Sequence, residues 1–348
     1  MTADLELPRL TADVPGCGGA FKLVPEDFEV EEVPAYLPSG EGEHLYLWVE
    51  KRGRDTREVV KALALALGVS EDDVGVAGMK DRQAVTRQLI SVPARAEAKV
   101  GDFALDGVSL LWTKRHGNKL RTGHLRGNRF RLRLRGVKDV GAARETFSRL
   151  VERGLPNYFG EQRFGRAGDN ADLGRLLVLG QRLPKRPERF QRKLYLSAFQ
   201  SRLFNRALAE RLRAGTLATA LRGDVLRKEE TGGLFVCEAP EVDGPRVAAF
   251  EVSPAGPIFG PKMPASAGDV AEAEARLLVA EGVTVDDFKR GGGETEGARR
   301  AYRVRLGSPE LTAEPSSEPE GGEDLWLTFE LPRGAYATEV LHELLKGG

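Results

Sequence analysis

Lys80-Asp81-Arg82 is the first place in the chain where residue types and spacing could do chemistry. A carboxylate flanked by two cations stays ionised, because nearby positive charge favours its charged form. An ionised carboxylate is a competent nucleophile. Taken alone the triplet is weak, since most such triplets are surface charge. A second feature lies downstream. From Lys114 to Arg135 the chain reads KRHGNKLRTGHLRGNRFRLRLR, with nine Lys or Arg, two His and no acid. Lys and Arg on phosphates supply much of RNA affinity, and RNA enzymes add aromatic side chains on which splayed bases stack. Phe130 lies inside the run, close to Asn128, whose amide suits a base edge. The plainer alternative is a solvated cationic strand with Phe130 in the core. The length of the run without an acid favours phosphate binding.

Other chemistries find less support. Cys17 and Cys237 are too far apart for a metal knuckle or a redox pair. The four histidines show no H-x-x-x-H or H-E-x-x-H spacing, so a metal site is not expected. His116 and His124 are the candidates for the general base of a metal-independent ribonuclease, but RNA-facing or solvent-facing strand residues need no such role. MTADLELPRL lacks the charged start and apolar run of a signal peptide, and no apolar run is long enough to span a bilayer. A soluble, cytoplasmic protein and a monomer are expected. The formal net charge is zero, from 52 basic and 52 acidic residues, and would by itself argue against nucleic acid.

The elements that must position these residues alternate in the first part of the chain. Phe28–Val33 and Leu45–Val49 read as strands. Thr56 is read as the N-cap of a helix with Val59, Val60, Leu63 and Leu67 on one face and Gly68 as its stop. Ser70 caps a second, short helix. Val74–Ala77 then runs as a strand into the loop Gly78-Met-Lys-Asp-Arg82, and Val85–Val92 leaves it. Asp81 therefore sits on a tight loop in a rigid frame. Arg129 to Arg135 alternates basic with apolar, the pattern of a strand with one buried and one cationic face. Helical texture dominates from Asn157 to about Arg303, around Ala171–Leu179, Ala198–Leu212 and Val270–Glu281, with a second basic cluster over 184–193 and a flexible joint at Gly291-Gly-Gly293. Tyr302–Leu306 and Leu325–Phe329 read as strands again. Between them Pro309–Asp324, rich in Glu, Pro, Ser and Gly and free of basic residues, is expected to be an unstructured loop. Its acids offset the basic run, so the zero net charge is expected to hide a basic surface.

Gly78-Met-Lys-Asp-Arg-Gln-Ala-Val-Thr-Arg-Gln88 closely resembles the catalytic motif of TruD-type pseudouridine synthases, G-x-K-D-x-x-A-x-T-x-Q. Four further stretches agree in order. Lys22-Leu-Val-Pro-Glu-Asp-Phe-Glu-Val-Glu-Glu32 is similar to the family's N-terminal motif, and Leu125-Arg-Gly-Asn-Arg-Phe130 to its G-N-x-F segment. Pro156-Asn-Tyr-Phe-Gly-Glu-Gln-Arg-Phe-Gly165 is similar to its N-Y-F-G-x-Q-R-F-G signature, and Leu331-Pro-Arg-Gly-Ala-Tyr-Ala-Thr-Glu-Val340 to its C-terminal motif. The resemblance spans nearly the whole chain, and five motifs in correct order make coincidence improbable.

The resemblance implies an α+β fold: a pseudouridine synthase core with a mixed, largely antiparallel sheet, plus an inserted α/β TRUD domain. The change of texture puts the catalytic domain at 1–156 and 304–348 and the insertion at 157–303. It implies isomerisation of uridine to pseudouridine in tRNA, typically at position 13, with no cofactor and no metal. Asp81 would be the nucleophile, attacking C1′ of the sugar or C6 of the base. Phe28 and Tyr336 fall at motif positions associated with the target nucleotide, Asn128 as its hydrogen-bonding partner and Phe130 as a stacking platform. The family often has Phe where this chain has Tyr336. Lys22 is the candidate cation facing Asp81, with an exposed lysine as the alternative. Asn157-Tyr-Phe-Gly160 and Arg163 suit structural packing at least as well as substrate contact. The basic cluster at Lys185, Arg186 and Arg189 is a candidate RNA clamp. The rival reading is a non-catalytic tRNA-binding or RNA-chaperone protein on the same fold.

Overall fold

The computed structural model describes residues 7–316 and 322–346. In chain order come β1 (Ala20–Phe21), β2 (Phe28–Pro34), β3 (His44–Arg52), α1 (Thr56–Leu67), β4 (Gly75–Val76), β5 (Val85–Pro93), β6 (Val108–His116) and β7 (Leu125–Val137). There follow α2 (Val140–Arg153), β8 (Leu155–Pro156), α3 (Asn170–Val178), α4 (Arg189–Arg213), β9 (Val225–Lys228), β10 (Leu234–Val236), α5 (Pro240–Ala248) and β11 (Val252–Ile258). The last are α6 (Gly268–Glu281), β12 (Ala298–Ala301), β13 (Arg303–Val304), β14 (Gly307–Pro315), β15 (Glu323–Pro332) and α7 (Thr338–Leu345). None of the described helices is long and apolar enough to cross a membrane.

Packing divides the chain into two compact units. One is Gly16–Arg144 with Leu306–Gly334; the other is 7–15, Glu145–Arg305 and Ala335–Lys346. These bounds differ from those expected at 156/157 and 303/304. In the second unit Glu343 of α7 accepts from the Leu10 and Thr11 N–H groups at 2.7 and 3.1 Å and from the Thr11 hydroxyl at 2.6 Å. Arg149 of α2 pairs with Asp13 at 2.6 Å. Residues 7–15 and α7 therefore pack with the helical unit, through partners remote in sequence.

The first unit is built on one sheet in the order β14-β15-β7-β2-β5-β3-β6, with β1 on β7 and β4 on β5. The β2–β5 pairing is parallel, and the neighbouring β2–β7, β3–β5 and β7–β15 pairings are antiparallel. The sheet is thus mixed and largely antiparallel, as expected. Leu45, Leu47 and Val49 of β3 pack with Val59, Leu63 and Leu67 of α1 and with Ile90 and Val92 of β5. The cap of α1 is Asp55, one residue before the expected Thr56. Asp55 Oδ1 accepts from the Glu58 N–H at 2.9 Å, and Glu58 accepts from the Asp55 N–H at 3.3 Å, a closed capping box. Gly68 ends the helix in the left-handed region at φ 67°.

The Arg129–Arg135 alternation does form a strand with Phe130, Leu132 and Leu134 inside. Its outward arginines, however, are not a free cationic face. Arg129 pairs with Glu330 at 2.7 Å, Arg131 with Glu29 at 2.8 Å, Arg133 with Asp324 at 2.7 Å and Glu314 at 3.0 Å, and Arg135 with Asp27 at 2.8 Å. Arg131 also lies 3.6 Å over the Trp326 ring. The run is acid-free in sequence, but β2, β14 and β15 bring acids to it across the sheet. Within the acidic segment, 309–315 and 323–324 are correspondingly strand rather than unstructured loop. Glu310–Pro315 pairs antiparallel with Glu323–Thr328, and the hairpin's Glu314 and Asp324 serve Arg133. Residues 317–321 lie outside the described residues.

The second unit packs α3 on α4 and carries the sheet β10-β9-β11-β12 and the pair β8–β13. Leu196, Phe199 and Leu203 of α4 meet Val178, Phe259 and Phe288 in its core. The three expected helical stretches are α3, α4 and α6, and α4 starts at Arg189, inside the 184–193 cluster. At Gly291–Gly293, expected as a flexible joint, two short helical turns meet at a kink, with Gly292 in the left-handed region at φ 59°, and a Cβ on Gly291 would meet the Thr295 hydroxyl at 2.0 Å.

One glycine bears directly on the site. Gly127 of β7 sits between Val33 of β2 and Pro332 of β15, next to Asn128. A Cβ there would lie 2.2 Å from the Leu331 carbonyl oxygen. Gly127→Ala should force β15 away from β7 and cost about 1–3 kcal/mol. A urea titration should show a lower midpoint at unchanged slope; an unshifted midpoint would mean the strands absorb the methyl group.

Candidate active site

Asp81 stands on the loop between β4 and β5, and the loop is tied from three sides. Gln88 of β5 donates from Nε2 to the Gly78 carbonyl at 3.3 Å. The Thr56 hydroxyl donates to Gln88 Oε1 at 2.9 Å and accepts from the Lys80 N–H at 2.9 Å. Thr56 is free for this because Asp55 caps α1 in its place. Asp81 Oδ1 accepts from the Gln83 N–H at 3.1 Å, an Asx turn that fixes the carboxylate's own orientation.

The third tie is a buried ammonium. Lys51 is 1% exposed and continues the inward parity of Leu45, Leu47 and Val49 along β3. Its Nζ donates to the carbonyls of Arg54 at 2.5 Å, Asp81 at 2.8 Å and Lys80 at 3.4 Å. Burial pushes its pKa down to about 8, against the opposing charges of Asp81 and Asp55.

The cations flanking Asp81 in sequence do not flank its carboxylate in space. Lys80 points inward, where Nζ lies 3.5 Å from Glu32 Oε2 and donates to Asn128 Oδ1. Burial pushes the Glu32 carboxyl up and the Lys80 ammonium down, each opposed by the other's charge. Arg82 points outward and pairs with Glu58 at 3.6 Å. The cation on Asp81 is Lys22, with Nζ 2.5 Å from Oδ2. Lys22 sits in the left-handed region at φ 62° and lies 4.8 Å over the Phe28 ring. Burial raises the Asp81 pKa, but the hydrogen bonds from Lys22 and from the Gln83 and Arg82 backbone outweigh it, and the net shift is downward. Asp81 is therefore ionised at neutral pH, with its side chain 44% exposed.

Sheet register gathers the expected residues. Across β2 and β7, Glu32 faces Asn128, Val30 faces Phe130 and Phe28 faces Leu132. Lys22, Phe28 and Asn128 thus group around the Asp81 loop, Asn128 through Lys80. Phe130 is 6% exposed, stacked on Phe329 at 5.6 Å and edge-on to Phe28 at 6.3 Å, so it is a buried wall rather than an open platform. Tyr336 belongs to the other compact unit, half-buried ahead of α7. In that unit Asn157 donates to the Ala301 carbonyl at 2.9 Å, and Asn205 makes two 2.9 Å bonds to the Phe159 backbone. Arg300 lies 4.1 Å over the Phe159 ring. The N-Y-F-G segment is thus engaged in internal packing.

Sequence reasoning passed over Lys51, Glu32 and the Thr56–Gln88 pair. The available signal for Lys51 and Glu32 was parity, since each puts a charge at the inward position of an alternating strand. Cys17 and Cys237 are buried and not disulfide-bonded, and no group of three or more His, Cys, Asp or Glu among the described residues could hold a metal ion.

Comparisons with known proteins give one family throughout. The family model described as tRNA pseudouridine synthase D (TruD) matches residues 4–182 and 181–344. A tRNA pseudouridine synthase D of Anaeromyxobacter dehalogenans is 55% identical over 98% of this chain and 97% of its own length. That of a Thermus thermophilus strain is 43% identical over 97% and 92%. A crystal structure titled as the putative enzyme of Methanosarcina mazei superposes with a TM-score of 0.80 at 23% identity, covering 98% of this chain and 99% of that one, which shows the shared fold.

The Lys51 environment has a pH signature. Below about pH 8 its ammonium is charged and holds the three carbonyls; above that pH it loses a proton and a donor. Catalytic efficiency should therefore fall as pH rises through about 8, while Asp81 titrates only at the acid end. Lys51→Met should lower kcat at every pH by about a hundredfold, the cost of about 1 Å of misplacement. It should also abolish the alkaline fall in a kcat/KM profile run from about pH 5 to about pH 9.5. An alkaline limb that persists in the variant has another source.

Proposed function

The chain belongs to the TruD family of tRNA pseudouridine synthases, and from that premise we propose that Asp81 is the nucleophile that isomerises uridine 13 of tRNA to pseudouridine. The observation that carries the proposal is the state of Asp81: ionised, half-exposed and fixed by Lys22 and by main-chain donors. Attack at C1′ or at C6 both fit such a carboxylate. In either case the N1–C1′ bond breaks, the uracil turns, a C5–C1′ bond forms, and the C5 proton lost is matched by one gained at N1. Nothing is oxidised, reduced or hydrolysed.

The roles of the surrounding residues follow from their positions. Lys22 pairs with Asp81 in the resting site and turns to the substrate when the target nucleotide arrives. Asn128 offers its amide to the uracil edge. Phe28, Phe130 and Tyr336 supply aromatic surface for the flipped nucleotide, Phe130 after an adjustment of the rings that bury it. Flipping costs a few kcal/mol, which stacking and phosphate contacts offset. We further propose that 157–303 is a sequence insertion between the two chain segments of a catalytic domain, 1–156 and 304–348, although 7–15, 145–156 and 335–346 pack with the helical unit, and that the enzyme acts in the cytoplasm as a monomer. The non-catalytic tRNA binder is not favoured, because the relatives matching nearly the whole chain are named for the synthase.

Asp81→Asn, assayed on unmodified tRNA, should form no pseudouridine. It should bind tRNA equally or more tightly, since a negative charge near phosphates is removed. Mapping of pseudouridine in the wild-type product should place it at position 13. Activity retained in the variant overturns the nucleophile, and a product at another position overturns the target.

A further inference from the structure

The unit that carries Asp81 holds a second concave site, separate from the catalytic loop. It is a cavity of about 670 Å³ whose wall includes Tyr36, His44, His116, Lys119, Arg121 and His124, and no carboxylate lines it. Three of the chain's four histidines meet here. β3 and β6 put two of them side by side, since His44 and His116 are register partners. Tyr36 stacks on His116 at 5.1 Å with ring planes 29° apart, and its hydroxyl is 2.8 Å from His124 Nδ1. Tyr46 lies edge-on to His116 at 4.9 Å. Tyr36 is 37% exposed, so the ring pair is open to solvent on one side. His44 Nδ1 is buried with no hydrogen-bond partner among the described residues.

The distribution of charge sharpens this. Within the 114–135 run, Arg115 pairs with Glu97, and Arg129, Arg131, Arg133 and Arg135 all pair with carboxylates of neighbouring strands. Lys119 and Arg121 have no ion pair among the described residues; Lys119 donates to the Asp72 carbonyl and keeps further donors. Lys114 and Arg126 likewise have no ion pair among the described residues, so two of the run's four unpaired cations stand at the wall of this cavity. An exposed aromatic platform, imidazoles and unpaired cations without an acid suit one ligand chemistry, a flat ring carrying phosphate.

We propose that this cavity binds an unpaired nucleotide of the tRNA other than the target uridine, its base on the Tyr36–His116 platform and its phosphate on Lys119 and Arg121. The proposal rests on the reading that tRNA is the substrate. The site is mechanically linked to the catalytic loop. Gly123 donates to the Ala77 carbonyl at 2.8 Å, one residue before the catalytic motif, and Leu120 packs with Ala77 in a shared core cluster. A nucleotide held here fixes the RNA to the same rigid frame that presents Asp81.

Two measurements test it. Ultraviolet crosslinking of unmodified tRNA to the full-length protein, read by mass spectrometry, should place a nucleotide on the peptide containing Tyr36 or on 116–124. Lys119→Ala/Arg121→Ala should weaken tRNA binding and make the salt slope of log K shallower by about 0.7, the value for one phosphate on unpaired RNA. Tyr36→Ala should lose about tenfold in affinity, one stacked base, while Tyr36→Phe keeps most of it and controls for folding. Unchanged affinity and slope, with crosslinks confined to other peptides, overturn the proposal. If wild type forms pseudouridine and Asp81→Asn does not, that failure belongs to the cavity alone. If wild type binds no tRNA, the functional reading has failed instead.

Discussion

Lys51 places a charge where the alternation of β3 calls for an apolar side chain, and the loop around Asp81 closes on it. A buried ammonium without a carboxylate partner is costly. Three main-chain carbonyls, two of them from the catalytic loop, meet its three donors. The loop backbone is thereby held by a group that cannot leave without stranding both itself and the carbonyls. The Thr56–Gln88 pair and the Asx turn at Gln83 then have only small freedoms left to remove. Local loop propensity would not give this rigidity, which comes from a charge delivered by the neighbouring strand.

The same logic of remote compensation governs the surface. β7 is a row of arginines in sequence and a ladder of ion pairs in space. The exposed pairs of Arg129 and Arg131 contribute little stability each, about 0–1 kcal/mol, whereas the Asp324 and Asp27 carboxylates under Arg133 and Arg135 are buried. All four pairs decide where free positive charge remains. The β14–β15 hairpin, acidic and inconspicuous as a sequence, acts here as the counter-charge for the central strand. Net charge and local charge runs therefore say little about an RNA-binding face until the strand order is known.

The strands β2, β3, β5, β7 and β15, the α1 face and the order of the motifs were legible in the sequence, because each follows from period or from local capping chemistry, whereas most of β14 falls in the segment expected to be an unstructured loop. The parallel β2–β5 pairing was not legible, yet it brings the loop of Lys80 to Glu32, which the antiparallel β2–β7 register sets opposite Asn128. The Lys80-Asp81-Arg82 triplet correctly marked the loop, though for the wrong electrostatic reason. Consecutive side chains on a tight loop point apart, so the cation that reaches Asp81 is Lys22, distant in sequence. Cap choice was misread at Thr56 for a related reason: its hydroxyl is claimed by Gln88, and Asp55 takes the cap. In both cases a tertiary partner decided between two locally acceptable roles.

The two lysines that touch Asp81 divide the work by burial. Lys51 holds the backbone from inside, where breaking its bonds would strand buried polar groups. Lys22 holds the carboxylate at the surface, with side-chain exposures of 21% and 44% for the pair. An ion pair so exposed is worth about 1 kcal/mol or less, so an arriving nucleotide displaces it at small cost. Removing Lys22 would not leave Asp81 protonated at neutral pH, since an ordinary aspartate pKa of about 3.9 already suffices. Its contribution is therefore orientation of the Asp81 carboxylate. The left-handed backbone at Lys22 fits that arrangement: the chain accepts a sparsely populated conformation to aim one ammonium at one carboxylate.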